Sequence, residues 1–343
     1  MICYLFCQGP LCFTLRGVES FEDTMIKGEK ILVTGVTGGV ANPIAEFLAR
    51  DNEVWGAARF LDNDDASRKG RELRPTALKT RAEIEAAGIR TCRIDLAAGD
   101  LSELPDDFTY VIHGAFVRIP NREDQFDMAF RTNADGPGFI WQHCRNAKAA
   151  LLLTAGSIYA PNPETYHRYA ETDFLGGAIV PWSPASPASK IMSEAVVGFC
   201  ARSFNLPTTI GRLFMPYGNP RLGPSLDIEA IKRGQDIPLR NGPQPQSVIH
   251  VDDICDQLEA MLGSAGVPPL VTNWASDEDV TSEEWCTIAG EKLGVTPKFQ
   301  RAQVAGAHGG FLADTRKCRS IVGPCKVEFR PAFDRLIETY HKV

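Results

Sequence analysis

The chain has 343 residues, 44% of them hydrophobic and 23% charged, with a formal net charge of −7. That balance suits a globular protein with a sizeable core and argues against nucleic acid or an anionic membrane as the main partner. No apolar run reaches the roughly 18–20 residues of a membrane span, and ten cysteines without a CxxC pair fit a reducing cytoplasm better than a disulfide framework.

The opening stretch, "MICYLFCQGPLCFTLRGVESFEDT", is cysteine-rich and apolar, then acidic. It lacks the basic start and small-residue cleavage site of a signal peptide. Residues 1–27 are therefore read as a poorly ordered extension, with Met25 an alternative start. From Lys30 onward apolar runs alternate with helical stretches. "KILVTG" (30–35), "NEVWGAAR" (52–59), "IRTCRIDL" (89–96), "YVIHGAF" (110–116), "AALLLTAG" (149–156) and "PTTIGRLF" (207–214) read as strands. Stretches 40–50, 79–87, 124–147 and 187–204 read as helices. Continuous apolar strands separated by helices predict an α/β fold, a doubly wound parallel (Rossmann) sheet, over residues 28–215. Beyond about 217, proline and glycine cluster in "PYGNPRLGPS" and "LRNGPQPQS". Residues 216–343 are expected to form mainly a smaller substrate-binding lobe, interleaved with the sheet.

The strongest motif is "LVTGVTGGVANPIAEFLA" (32–49), a GxxGxxA spacing directly after a strand. Gly35 permits a tight turn, Gly38 lets the main chain approach a pyrophosphate, and Ala41 allows close helix–strand packing. The helix start then favours the anion. Thr37, Gly39 and Val40 complete this candidate cradle. The second strand ends in Ala58 and Arg59, where an acid would grip the adenosine ribose of NAD. A guanidinium there favours NADP over NAD, while nearby Asp62, Asp64 and Asp65 keep NAD open.

With these residues in view, the chain from about residue 28 resembles the extended short-chain dehydrogenase/reductase superfamily, of the NAD-dependent epimerase/dehydratase type. "VTGVTGG" is similar to that family's TGxxGxxG loop. "RIDL" resembles its adenine-contacting segment, which implicates Asp95 and Leu96, and "VIHGAF" its cofactor-lining VIHxAA segment, which implicates His113, Gly114 and Ala115. "RTNADGPGFI" with Asn133, "RLFMPYGNP" with Phe214, "SVIHVDDI" with His250, and "LADTRKCRSIVG" resemble further family segments in the right order. The resemblance implies hydride transfer to or from nicotinamide. It also implies a tyrosine acid/base, a lysine that holds the ribose, and a Ser or Thr that binds the substrate oxygen.

Those roles carry over unevenly. Lys190 matches the lysine. Four residues earlier, where the tyrosine would stand, is Ser186, which shares a helix face with Lys190. In "LLTAGSIYAP" the hydroxyl position falls on Ala155, flanked by Thr154 and Ser157, either of which substitutes for it after a small backbone shift; Ser157 is the catalytic candidate of the two. A serine hydroxyl is far less acidic than a phenol and reaches a ring less far. The proton then comes through Ser186 and water, or from the loop after the fifth strand, where Tyr159, Tyr166, His167 and Tyr169 stand; histidine has the pKa best matched to neutral pH.

Phe174, Ile179, Val180 and Trp182 suggest an apolar wall for the substrate, whereas Arg212, Arg221 and Arg240 offer a grip on a diphosphate. No metal-ligand spacing occurs. The expected protein is a cytoplasmic NAD(P)-dependent oxidoreductase, epimerase or dehydratase with an altered acid/base apparatus. Its substrate is a small carbonyl, alcohol or sugar-type molecule, and a homodimer through paired long helices follows from the resemblance. A dinucleotide sensor without turnover, and a non-redox lyase or isomerase on the same fold, are the alternatives.

Overall fold

Alternating strands and helices wind one large parallel sheet in a computed structural model that describes residues 26–60, 79–119, 124–178, 180, 183–220, 222–303 and 306–341. Most of the expected N-terminal extension, Asp62, Asp64, Asp65, Ile179, Trp182 and Arg221 lie outside the described residues. The first half of the chain lays down β1 (Lys30–Thr34), α1 (Ala41–Leu48), β2 (Glu53–Ala58), α2 (Arg81–Ala86), β3 (Arg90–Arg93) and β4 (Tyr110–His113). Next come α3 (Gln125–Phe130), α4 (Gly136–His143), β5 (Ala149–Ala155), the short β6 (Arg168–Tyr169), α5 (Ser186–Phe204) and β7 (Thr208–Leu213). The remainder supplies β8 (Met215–Tyr217), α6 (Ser225–Lys232), β9 (Asp236–Arg240), β10 (Pro245–His250), α7 (Val251–Asp256), α8 (Leu258–Gly263) and β11 (Leu270–Trp274). It closes with β12 (Asp279–Thr281), α9 (Ser282–Leu293), β13 (Lys298–Ala302), β14 (Leu312–Ala313), α10 (Arg316–Val322) and α11 (Phe329–His341).

The large sheet has seven strands in the order β11-β7-β5-β4-β1-β2-β3, every neighbouring pair parallel. Its interior strands are apolar on both faces because helices cover both. Along β1 the alternation of a strand sends Ile31 and Val33 to a core shared with Ile44, Leu48 and Met261. Leu32 goes to the opposite core with Trp141, Val197 and Ile210. The strand order reverses between β1 and β4, so a crevice opens outside the carboxyl ends of these strands, the usual ligand position in such a sheet.

Two features depart from the sequence reading. The helix expected over 124–147 is interrupted by a π-type turn, Arg131–Asp135, between α3 and α4. The edge strand β11 comes from far along the chain and was not anticipated. Its sequence, LVTNW, carries polar Thr272 and Asn273, yet both are fully buried. Asn273 is satisfied by distant partners, which is why its polarity hid a core strand.

Past β7 the chain also builds a separate core in which Tyr217, Ile228, Val248, Trp285 and Phe333 meet. It is framed by small sheets, β12-β10-β8 and β13-β9. In chain order β11 of the large sheet falls between β10 and β12 of the small one.

Candidate active site

The glycine loop occupies the carboxyl end of β1. Gly35 has φ +72°, and a Cβ there would lie 2.6 Å from Ala115 Cα. Only glycine lets the turn press against the Gly114–Ala115 main chain. Gly35 N–H donates to Ala57 O at 2.8 Å and Gly38 N–H to Gly35 O at 2.8 Å, which closes the turn before α1. No side chain caps α1 and no acid stands in its first turn. Its first N–H groups and the helix dipole therefore suit an anion. Thr37, Gly38, Gly39 and Val40 are half-buried along this cradle. From the second lobe, Asn219 Nδ2 donates to Gly39 O at 2.7 Å, a clamp that sequence reasoning missed.

The other expected cofactor contacts fall around the same end of the sheet. Arg59 is half-buried directly after β2. Asp95 is exposed and accepts Ala97 N–H at 3.0 Å, turning the chain after β3. Leu96 is buried against Gly136, where a Cβ would come within 2.7 Å of it. His113 is placed in the core. Thr34 Oγ1 accepts Ala115 N–H at 3.3 Å and shares a hydrogen bond of 2.9 Å with His113 Nδ1. Burial, and then the Lys190 charge, push this imidazole down to about 3.

Lys190 lies on α5, one turn past Ser186. Its ammonium stands 3.8 Å from the centre of the Phe116 ring and makes no ion pair among the described residues. Burial, then repulsion from Arg118, push it down to about 7, against the pull of Glu194. Such a cation is open to a ligand's hydroxyls. Ser186 begins α5 and is buried. Ser183 Oγ donates to Ile119 O at 3.3 Å, so the 3.1 Å contact between the two hydroxyls takes its proton from Ser186. Asn133, turned inward by the π-type turn, holds Val117 N–H and C=O at 2.9 Å each and donates to Ser189 Oγ. It fixes the segment after β4 against α5.

Thr154 and Tyr159 are struts in the interior. Thr154 Oγ1 donates to Glu194 at 2.8 Å, and Arg212 pairs with both Glu194 oxygens, at 3.0 and 2.7 Å. The Tyr159 phenol donates to Asn273 Oδ1 at 2.6 Å and accepts from Arg212 at 2.9 Å. Burial pushes Tyr159 up to about 12, although Arg212 pulls the other way. The phenol proposed as a proton source is therefore spent on the fold. Ser157 sits half-buried in a short 3-10 turn, Gly156–Ile158, directly after Ala155. Phe214 packs on that turn, its ring 2.7 Å from where a Gly156 Cβ would be.

Among the other candidates, Tyr166 is exposed. His167 Nε2 lies 2.7 Å from Asp173 Oδ2, and Tyr169 is stacked on Tyr159 with ring centres 5.1 Å apart. Phe174 is 88% exposed and forms no wall among the described residues. Arg212 is committed to Glu194, and Arg240 donates to Gly309 O. His250 caps α7 by accepting Asp252 N–H at 3.1 Å.

A doubly wound sheet with a glycine turn, an uncapped first helix and a lysine set over Phe116, just past the Gly114–Ala115 main chain that meets the turn, defines a dinucleotide-binding protein of the short-chain dehydrogenase/reductase type. Residues 31–273 match the model of the NAD dependent epimerase/dehydratase family. The chain belongs to that family of enzymes. A trifunctional UDP-glucose 4,6-dehydratase/UDP-4-keto-6-deoxy-D-glucose 3,5-epimerase/UDP-4-keto-L-rhamnose-reductase of Arabidopsis thaliana is 22% identical over 255 residues, 70% of this chain and 36% of that protein. The chain thus spans about a third of that curated relative's length.

Among solved structures, UDP-glucuronic acid 4-epimerase of Bacillus cereus in complex with UDP-glucuronic acid and NAD superposes with a TM-score of 0.72 at 19% identity, covering 91% of this chain and 99% of that one. The dTDP-glucose 4,6-dehydratase of Streptomyces venezuelae with NAD and TYD bound gives 0.73 at 19% identity, covering 91% and 97%. Likeness at this identity establishes the fold.

Proposed function

We propose that the protein is a nicotinamide-dinucleotide-dependent epimerase or dehydratase acting on a sugar-type substrate carried on a nucleotide. The observation that carries this reading is Lys190, half-buried on α5 with no ion pair among the described residues, whose Nζ stands over Phe116 next to the Gly114–Ala115 main chain that meets the glycine turn. The similar solved structures contain NAD, which supports NAD as the cofactor. NADP is a second reading that rests on Arg59 following Ala58 at the end of β2.

When bound, the dinucleotide accepts and returns a hydride. The chain's own part is to seat the pyrophosphate on the N–H groups of residues 37–41, to hold the ribose through Lys190, and to position the substrate beside Ala155 and Ser157. Ser186 donates inward to Ser183, so in this reading it presents a lone pair to a water and does not replace a phenol. That same observation favours a dinucleotide sensor as the competing reading, and turnover separates the two.

Calorimetry with NAD and NADP, followed by nicotinamide absorbance and product analysis with UDP-glucose, UDP-glucuronic acid and dTDP-glucose, tests the proposal. We expect a dinucleotide to bind, conversion of at least one sugar, and affinity about tenfold weaker in Lys190→Ala, the loss of one charge-assisted hydrogen bond. Binding without conversion would leave a sensor; no binding would end the reading.

Phe126, Phe139, Met192 and Phe199 are exposed on α3, α4 and α5, which supports a homodimer through these helices; sedimentation velocity reads it directly. Every described cysteine is a free thiol, which supports a reducing, cytoplasmic setting. No described helix is long and apolar enough to cross a membrane.

A further inference from the structure

Lys190 lacks the phenol that would stand one turn before it, yet its amine has an electrostatic partner in the Phe116 ring. Nζ lies 3.8 Å from the ring centre, well inside the roughly 6 Å over which a cation is drawn to a π face. In the VIHxAA pattern that "VIHGAF" resembles, the position of Phe116 is alanine. The chain thus carries a serine where a ring is expected, one turn before the lysine, and a ring where a methyl is expected, over its amine.

The contact is held on both sides. Ala115 N–H donates to Thr34 Oγ1 at 3.3 Å. Asn133 fixes Val117 through its N–H and C=O, and its Nδ2 also donates to Ser189 Oγ at 3.2 Å. One buried side chain therefore ties the neighbour of Phe116 to the neighbour of Lys190.

The charges around Lys190 do not account for its placement. Arg118, two residues past the ring, repels it. Glu194, one turn further along α5, attracts it but is paired with Arg212 and hydrogen-bonded by Thr154. His113, at the end of β4, is a neutral imidazole. Lys190 makes no hydrogen bond or ion pair among the described residues, yet its Nζ is not sealed in the interior as the unpartnered His113 Nε2 is.

We propose that Phe116 is the positioning residue for Lys190: its π face holds the amine as a placed cation, in the stead of the phenol absent at 186, and leaves the N–H groups for a ribose. That role rests on the proposed function, in which Lys190 holds the ribose. A phenyl ring stabilises and orients a charge but neither takes nor gives a proton. Phe116 therefore serves the grip on the dinucleotide, and the proton is left to other groups.

The test uses the full chain with NAD and ADP as probes; ADP carries the adenosine and pyrophosphate without the second ribose. Phe116→Leu and Phe116→Met keep an apolar side chain and remove the π face. Near neutral pH each should bind NAD about 3–10-fold more weakly, bind ADP as the wild type does, and still melt cooperatively. Phe116→Tyr, which restores the face, should recover the NAD affinity. Carbon-13 spectra of lysine labelled at Cε, with Lys190 assigned by the signal missing from Lys190→Ala, give a readout that packing alone would not move. The amine should titrate about one unit lower in Phe116→Leu, because the cation loses its partner while the apolar cover stays. An unchanged or raised titration, an unchanged NAD affinity, or a matching loss for ADP overturns this inference; if Lys190→Ala still weakens NAD binding, the proposed function stands. A Lys190→Ala protein that binds NAD like the wild type, or a wild type that binds no dinucleotide, removes both.

Discussion

The glycine turn after β1 and the strip from Ala155 to Lys190 share the carboxyl end of the sheet, but they are built differently. The turn is made of main chain and small residues. Gly35 fits only because it has no Cβ, and the ligand-facing groups are amides that every residue possesses. The strip depends on the identity of single side chains at Ala155, Ser157, Ser186 and Lys190. A cradle of the first kind cannot lose one member without moving its neighbours. A strip of the second kind can change one hydroxyl or phenol while the fold stays intact, and here a buried polar network behind it keeps the strand and helix in place.

The largest effect should therefore come from the smallest change. Gly35→Ala adds one carbon 2.6 Å from the Ala115 main chain, at a φ of +72°. The combined backbone strain and overpacking should cost roughly 3–5 kcal/mol and abolish dinucleotide binding. Thermal unfolding and calorimetry read both. A stable Gly35→Ala protein that still bound dinucleotide would show that the cradle is as tolerant as the strip.

Next in size is the network behind the strip. Arg212→Met leaves Glu194, on α5, with Thr154 as its hydrogen-bond donor. Breaking one half of a buried ion pair costs about 3–5 kcal/mol, whereas replacing both halves with neutral groups is nearly neutral. Denaturant unfolding should thus show a large loss in Arg212→Met and substantial recovery in Arg212→Met/Glu194→Gln. Failure of the double variant to recover would mean that Arg212 acts mainly through Tyr159 and Asn273.

The same contrast decides what could be read before the structure. The parallel sheet and its glycine turn were legible because both are local patterns: apolar runs of strand length, and glycines at fixed spacing after one of them. The network was not, since Tyr159 meets Asn273 across 114 positions and Thr154 meets Glu194 across 40. Tyr159 read as a proton source because a phenol near a crevice has that chemistry, and nothing local reveals that Asn273 takes its proton. His308 lay within the expected substrate-binding lobe, but its partner, the Tyr169 phenol, stands 139 residues earlier. β11 escaped notice because Thr272 and Asn273 interrupt the apolar run that marks a core strand.

The smallest effect tests whether one side chain can be exchanged outside the crevice as well. Asp227, in the first turn of α6, accepts Trp285 Nε1–H at 2.7 Å. Burial pushes its carboxyl up to about 6, against the pull of that hydrogen bond. A carboxyl raised in the folded state favours folding while protonated. That contribution is complete below its unfolded value near 3.8 and is lost as pH rises through about 6. Asp227→Asn keeps an oxygen for Trp285 and removes the buried charge. Partial solvent screening limits the gain to about 1 kcal/mol, or about 2 °C in Tm, at pH 8. Melting curves at pH 4, 6 and 8 should show the variant pulling ahead of the wild type only at the higher values. An equal gap at pH 4 and pH 8 would mean that the substitution acts through packing around Trp285 and not through the buried carboxylate charge.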